Sequence, residues 1–402
     1  MTISTDGHGG PATAPPLARR RGGPPAARLN VAVVGMSTAE ICGVRDHAML
    51  LADAMPAEGV SCSLHWLDRR EPSLRGARRE VRSWAAGLAE ELAERAPDAI
   101  LLHYSVFAFS YRGIPLFAAP TLSALRGRQA PLLTVLHESA YNWGWRGARS
   151  AVWALTQRVA LVDVVRRSAA VLVTADRRAR WLESRRWLPG RPTAVAPVFS
   201  NLPAAPAGAQ AVRGSTVGLF GYAHEGSEPA LVLDALRLLA DRGVPTRLLL
   251  LGAPGPASAA GRRWQSEADA RGLGAALEFT GTLPAAELSA ALSSCEVLLF
   301  ADTPGPSSRK TALAAALASA RPVLALDGPR SWPALVDAQA ALIVQPRREE
   351  IAEALRQLLG SEDLRQSQAV RGRRFYDETM SVEHSARAVA GMLDLLIAPS
   401  RR

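Results

Sequence analysis

The sequence predicts an α/β protein of two tandem Rossmann-like, doubly wound domains facing each other across a cleft. Three observations carry that expectation. Short aliphatic and β-branched runs alternate with longer amphipathic stretches from residue 29 to near residue 397, the pattern of parallel sheets covered by helices on both faces. A Pro/Ala/Gly-rich connection from Phe199 to Gly214 interrupts the alternation, which then restarts. A chain of 402 residues also exceeds what one hydrophobic core usually organises.

In the first half, Leu29–Gly35 is β-rich and ends in glycine, so it reads as an opening strand. A loop from Met36 to Gly43 leads to a helix from about Asp46 to Met55. Val60–Trp66 alternates as a strand, Val81–Ala96 is helical, and Asp98–Tyr104 is a strand that breaks into an aromatic loop through Tyr111. Pro131–Glu138 is a strand with polar residues at its carboxyl end, Ala148–Arg166 a helix, Ala169–Thr174 a strand and Ala194–Val198 a last short one. In the second half the strands are Thr216–Gly221, Thr246–Gly252, Leu277–Gly281, Val297–Phe300, Pro322–Leu326 and Ala341–Val344. Helices between them cover Pro229–Arg242, Gly261–Arg271, Glu287–Ser294, Ala312–Ala318 and Glu349–Leu359, and a closing helix covers Ser381–Ile397. The division expected is a Gly/Pro/Arg-rich disordered tail (1–28), a first domain (29–198), a linker (199–214), a second domain (215–378) and a final helix and tail (379–402).

Composition narrows the class. With 48% apolar and 21% charged residues, the chain reads as a soluble globular protein. No apolar run reaches the roughly 18 residues that span a bilayer, and the N-terminus has no signal-peptide core. Cys42, Cys62 and Cys295 are scattered without ligand spacing, which points to a reducing, cytoplasmic setting and away from structural zinc. A net charge of +10 suits polyanionic partners, but no zinc-finger spacing or aromatic-basic sheet motif supports nucleic acid.

The most informative stretch is Gly305-Pro306-Ser307-Ser308-Arg309-Lys310-Thr311, between the strand Val297–Phe300 and an Ala/Leu helix. The first turn of such a helix offers unpaired N–H groups and the positive end of the dipole. Ser307, Ser308 and Thr311 add hydroxyls, Arg309 a planar fork and Lys310 a point charge. Lys310 is the only lysine among 47 basic residues. A phosphate group is the ligand this chemistry expects; a solvated basic loop is the plainer alternative. Two domains of this type bind ligands at strand carboxyl ends.

At this point the residues resemble a known family. Gly218-Leu219-Phe220-Gly221-Tyr222, Leu250-Leu251-Gly252, Phe279-Thr280-Gly281 and Arg321-Pro322-Val323 stand in the order seen in the second domain of GT-B glycosyltransferases, most similar to retaining glycosyltransferase family 4. Cys42-Gly43-Val44-Arg45-Asp46-His47 resembles the glycine loop opening the first helix, His137-Glu138 the pair at a mid-domain strand end, and Pro197-Val198-Phe199-Ser200-Asn201 the linker. The resemblance implies transfer of a sugar from a nucleotide-diphospho-sugar to an acceptor, with retention. It places the diphosphate beside Gly43, Arg309 and Lys310, the base and ribose near Gly252 and Thr280, and His137 near the reacting sugar. Gly221, Tyr222 and His224 would line the donor side.

The departures are specific. The family commonly carries two glutamates with seven residues between them around this loop and helix; Ser307 and Ala315 occupy those positions. An Arg and a Lys often follow the first strand of the second domain, where this chain has Tyr222 and Ser227. Arg309 and Lys310 are therefore expected to carry the phosphate charge and, with His137, the catalytic roles. No Asp-x-Asp motif is present, so neither metal nor cofactor is expected. His137 is equally readable as a structural strand-end histidine. Tyr104, Tyr141, Asn142, Trp143 and Trp145 form a candidate acceptor platform, with Glu138 beside it, or pack a loop. Arg177, Arg178, Arg180, Arg185 and Arg186 read as a solvated basic helix, or as a membrane-facing patch for a lipid-linked acceptor. Alternatives to a transferase are a non-catalytic nucleotide-sugar-binding partner, and an epimerase or inverting transferase on the same scaffold.

Overall fold

The first apolar run of the described residues forms β1 (Leu29–Ser37), followed by α1 (Gly43–Ala54), β2 (Val60–Asp68), α2 (Leu74–Arg95), β3 (Ala99–Ser105) and α3 (Ala118–Ala124). Then come β4 (Leu132–Glu138), α4 (Ala148–Arg167), β5 (Ala170–Val173), α5 (Asp176–Glu183) and β6 (Thr193–Val195). The structure is a computed structural model and describes residues 28–38, 42–126, 129–140, 148–204, 214–224 and 226–398. The six strands form one parallel sheet in the order β2-β1-β3-β4-β5-β6. The period-two alternation of β1 divides its residues between two cores. Ala32, Val34 and Met36 pack with Val81, Leu88 and Leu92 of α2, while Val31 and Val33 pack with Ala48 and Leu51 of α1.

The second half repeats the plan. It contains β7 (Thr216–Phe220), α6 (Pro229–Asp241), β8 (Arg247–Leu251), α7 (Ala259–Ala270), β9 (Leu277–Gly281), α8 (Ala285–Ser294) and β10 (Val297–Phe300). It continues with α9 (Thr311–Ala318), β11 (Val323–Leu326), α10 (Pro333–Asp337), β12 (Leu342–Val344), α11 (Arg348–Gly360) and α12 (Glu362–Phe375). Its six parallel strands are ordered β12-β11-β10-β7-β8-β9. The last helix, α13 (Val382–Ile397), returns to the first half, where Ala386, Val389 and Leu393 join the core around α1. Two doubly wound parallel sheets in tandem are thus the observed architecture.

Some boundaries move for local reasons. α2 begins at Leu74, not Val81, because the Ser73 side chain accepts the Gly76 N–H at 3.0 Å and caps an earlier turn. β6 ends at Val195, two residues before Pro197, which has no N–H for the ladder. α3, α10 and α12 were not foreseen; α12 starts where Ser361 accepts the Leu364 N–H at 3.2 Å. Among the described residues no helix is long and apolar enough to cross a membrane.

In each sheet the strand order reverses once, between β1 and β3 in the first and between β7 and β10 in the second. Loops leaving neighbouring strands at such a point diverge to opposite faces and open a crevice at the carboxyl ends. Near the seam, the Val198 N–H donates to the Ser308 carbonyl at 2.8 Å and the Ser308 hydroxyl donates to the Thr174 carbonyl at 2.9 Å. The Trp332 indole N–H donates to Asp176 Oδ2 at 2.9 Å.

Candidate functional site

The reversal point of the second sheet joins two loops. One leaves β7 through Gly221 and His224; the other leaves β10 through Asp302 and reaches α9 at Lys310. Gly221 has φ +78°, and a β-carbon there would lie 3.2 Å from Cβ of Ala312. Only a residue without a side chain fits both the left-handed backbone and that approach. The α9 N-terminus has no side-chain cap, so the N–H groups of Thr311, Ala312 and Leu313 have no acceptor within the helix.

Lys310 is not a free cation. Its ammonium lies 2.7 Å from Oδ2 of Asp302, whose side chain is 1% exposed, while that of Lys310 is 32% exposed. The approach lies off a hydrogen-bonding line, so the contact is chiefly ionic. Nε2 of His224 stands 3.8 Å from the other carboxylate oxygen. The carboxylate therefore anchors the ammonium of the residue that precedes α9 and leaves part of it open to solvent. Sequence reasoning missed Asp302: a single aspartate after a buried strand carries no spacing signal. The readable hint is its position, one residue beyond the apolar run Val297–Ala301.

The reversal point of the first sheet gathers three histidines: His47 from α1, His103 from β3 and His137 from β4. Nδ1 of His103 and Nε2 of His137 are 3.0 Å apart, one donating and the other accepting. His47 stacks on Phe199 with ring centroids 4.3 Å apart and meets His137 edge-on at 4.9 Å. Burial lowers the His47 pKa to about 4. Burial, then the neighbouring rings and Arg178, hold His137 well below the ordinary imidazole range; burial and His47 do the same for His103. All three are neutral near pH 7, so His137 offers a hydrogen-bonding ring and not a cation. Among the described residues this trio is the one group with the make-up of a metal site, with one nitrogen from each within 4.8 Å of the others. Zinc–nitrogen bonds of about 2.0–2.1 Å would require the nitrogens to close up. No carboxylate belongs to the set, and Arg178 donates to the His137 carbonyl.

Other expected site residues take varied places. Arg309, Ser307 and Thr311 are half-buried at the α9 entrance, and Gly43 opens α1 with nothing above its Cα within 4 Å. Glu138 accepts from Ser105 Oγ at 2.7 Å. Ser308, expected on the donor, is buried and gives its hydroxyl to Thr174, so it ties the two halves. Tyr222 is 1% exposed; its hydroxyl accepts the Gly255 N–H at 2.7 Å and its carbonyl accepts from Trp264 at 3.2 Å, which makes it a clamp on the β8–α7 loop. Thr280 accepts the Gly252 N–H at 2.9 Å and donates to the Gly281 carbonyl at 3.1 Å, so its O–H is already engaged within the turn. Gly252 itself, at φ +81°, makes that turn. Tyr104 is fully buried against Phe109, with ring centroids 5.0 Å apart, so it faces the core and not an acceptor. Tyr141, Asn142, Trp143 and Trp145 lie outside the described residues.

Residues 214–361 match the family model described as "Glycosyl transferases group 1". Compared with curated proteins by sequence, the chain has no match. Among solved structures, a sucrose-phosphate synthase from Thermosynechococcus elongatus is similar with a TM-score of 0.64 at 15% identity, covering 92% of this chain and 100% of its own. HepE of Anabaena in complex with UDP is similar with a TM-score of 0.62 at 13% identity, covering 90% and 99%. A UDP-forming α,α-trehalose-phosphate synthase from Burkholderia xenovorans, in complex with glucose-6-phosphate, gives 0.62 at 14% identity, covering 91% and 100%. At these identities the likeness establishes the fold: the chain has the GT-B architecture of these structures.

Proposed function

We propose that the protein is a glycosyltransferase of the retaining, family 4-like type, moving a sugar from a nucleotide-diphospho-sugar to an acceptor hydroxyl without a metal ion. The observation that carries this reading is the cationic entrance to α9. A buried carboxylate fixes Lys310 there, Arg309 stands beside it, and helix N–H groups point outward. It lies at the reversal point of the second sheet, where α/β folds bind ligands. The family match over the same half and the UDP held by a fold relative favour a nucleotide-sugar there.

In this reaction the bond between the anomeric carbon and the diphosphate oxygen breaks, and the acceptor oxygen bonds that carbon. The acceptor proton passes to solvent, and the nucleoside diphosphate departs with its added negative charge. Donors preorganised for that charge stabilise the transition state more than the ground state. Lys310, Arg309 and the α9 N–H groups fill that role, and they supply the positive charge a divalent ion otherwise brings. Neutral His137, held by His103, accepts or donates a hydrogen bond at the sugar without repelling its developing positive charge.

One observation favours a second reading. Ala315, at the position where the family grips ribose with a carboxylate, is packed in the core at 2% exposure. A chain that binds nucleotide-sugar without turning it over, as partner to an active transferase, fits that loss. Thermal-shift screening against UDP-, GDP-, ADP- and dTDP-sugars identifies the donor, because a ligand selective for the folded state raises its melting temperature. Incubation of the hit with purified protein and EDTA then tests turnover. Release of nucleoside diphosphate, lost in Arg309→Ala and Lys310→Ala, is the expected result. Wild-type rates in both variants would overturn the assignment, and binding without release would select the second reading.

A further inference from the structure

Four arginines flank the hydrogen bonds that cross the seam. Arg177 and Arg178 open α5 of the first half, Arg309 precedes α9, and Arg330 lies in the turn between β11 and α10. Two hydrogen bonds across the seam fix their neighbourhood: Ser308 Oγ to the Thr174 carbonyl at 2.9 Å, and Trp332 Nε1 to Asp176 Oδ2 at 2.9 Å. Each tie joins residues within three positions of the arginines on either side.

Some arginines of this chain are ion-paired, as Arg45 with Asp68 at 2.8 Å and Arg271 with Asp234 at 2.6 Å. Among the described residues none of the four has a carboxylate within the 4.0 Å of an ion pair. The nearby acids are otherwise engaged, since Asp176 accepts from Trp332 and Glu138 from Ser105. Arg178 is held in place by carbonyls, with Nη1 donating to that of His137 and lying 3.4 Å from that of Leu136 and from Thr174 Oγ1. The groups also feel one another electrostatically. Burial first, then Arg330 and Arg309, lower the pKa of Arg177; burial, then Arg309, lower that of Arg178 to about 10, against the pull of Glu138. Converging like charges cost folding energy unless an anion sits among them. Planar guanidinium forks match phosphate oxygens bidentately, as they do carboxylates.

We propose that Arg177, Arg178, Arg309 and Arg330 form a phosphate-binding site built half from each domain, which takes either the diphosphate of the donor or a phosphate carried by the acceptor. The arginines of α5 belong to the acceptor-side half, so bound phosphate bridges the halves and neutralises the repulsion between them. The site depends on the transferase reading only for the source of its phosphate.

The test uses the full chain and the double variant Arg177→Gln/Arg330→Gln, which spares Arg309 and Lys310. Calorimetric titration with inorganic pyrophosphate, UDP and glucose 6-phosphate is paired with thermal melts. Wild type is expected to bind pyrophosphate, and the double variant to bind it at least tenfold more weakly. Without ligand the double variant should melt at or above wild type, because repulsion has been removed. A matching tenfold loss for UDP assigns the site to the donor; unchanged UDP with loss for glucose 6-phosphate assigns it to an acceptor phosphate. If the variant binds all three like wild type, or wild type binds none, the site does not exist. If no nucleotide-sugar binds yet pyrophosphate binding is lost in the variant, the site stands and the transferase reading falls. Arg177→Lys/Arg330→Lys should recover part of the affinity, which a purely structural effect of the glutamines would not.

Discussion

Lys310→Met and Asp302→Asn remove opposite ends of one ion pair, yet their costs should differ sharply. Methionine at 310 leaves the Asp302 carboxylate, 1% exposed, without its counter-charge. Breaking a buried pair this way costs about 3–5 kcal/mol. Asparagine at 302 removes the buried charge itself, and Lys310, a third exposed, keeps its hydration. That loss is about 1 kcal/mol, the upper end for an ion pair whose cation is partly in solvent. The difference of about 2–4 kcal/mol converts to roughly 5–15 °C in the melting temperature of the C-terminal half, at about 2–4 °C per kcal/mol for a domain of that size. Differential scanning calorimetry near pH 7.5 reads it directly. Both single variants should lose turnover, since one deletes the ammonium and the other releases it from its anchor. If Lys310→Met melts no lower than Asp302→Asn, the carboxylate is not stabilised by that lysine and this account of the site is wrong.

Three other expectations are independent of that pair. His47, with a pKa lowered to about 4 in the fold against about 6.5 unfolded, binds its proton more readily in the unfolded chain. Stability therefore rises with pH between those values and falls on acidification; at pH 5 His47 alone costs about 2 kcal/mol, and urea melts of His47→Asn should show a shallower dependence from pH 7 to 5. Gly221→Ala puts a β-carbon on a left-handed residue 3.2 Å from Ala312; a loss of about 1–2 kcal/mol and weaker nucleotide binding should be measured together, and an unchanged dissociation constant would separate that loop from the ligand. Tyr104→Phe removes a buried hydroxyl that has no partner, so stability should hold or rise by about 1 kcal/mol, and an increased KM for acceptor would contradict its place in the core.

The architecture was legible because parallel strands buried on both faces must be apolar throughout: Val297–Phe300 and Leu248–Leu251 can be little else. The α9 entrance was legible because loop, cation and helix are contiguous. Contacts made at a distance were not. His47 and His103 meet only because the strand order reverses between β1 and β3, a property of the sheet and not of any segment. Tyr104 and Tyr222 sit just where strands give way to loops, a position that reads as exposed, yet both turn inward. Arg177 and Arg178 read as a solvated basic run because the partners that define their surroundings, Arg309 and Arg330, lie more than a hundred residues away. The helix α12 is too polar to announce itself; Gln368 is buried by donating to the Gln339 carbonyl at 2.8 Å and not by apolar packing.

The return of α13 to the first sheet has a consequence for how the protein is made. Val389 and Leu393 cover apolar surface of residues near Leu51 and Val60, which leave the ribosome more than three hundred codons earlier. Synthesis at about 5–20 residues per second exposes that face for tens of seconds. The core around α1 is therefore completed only after the carboxyl-terminal half has been translated.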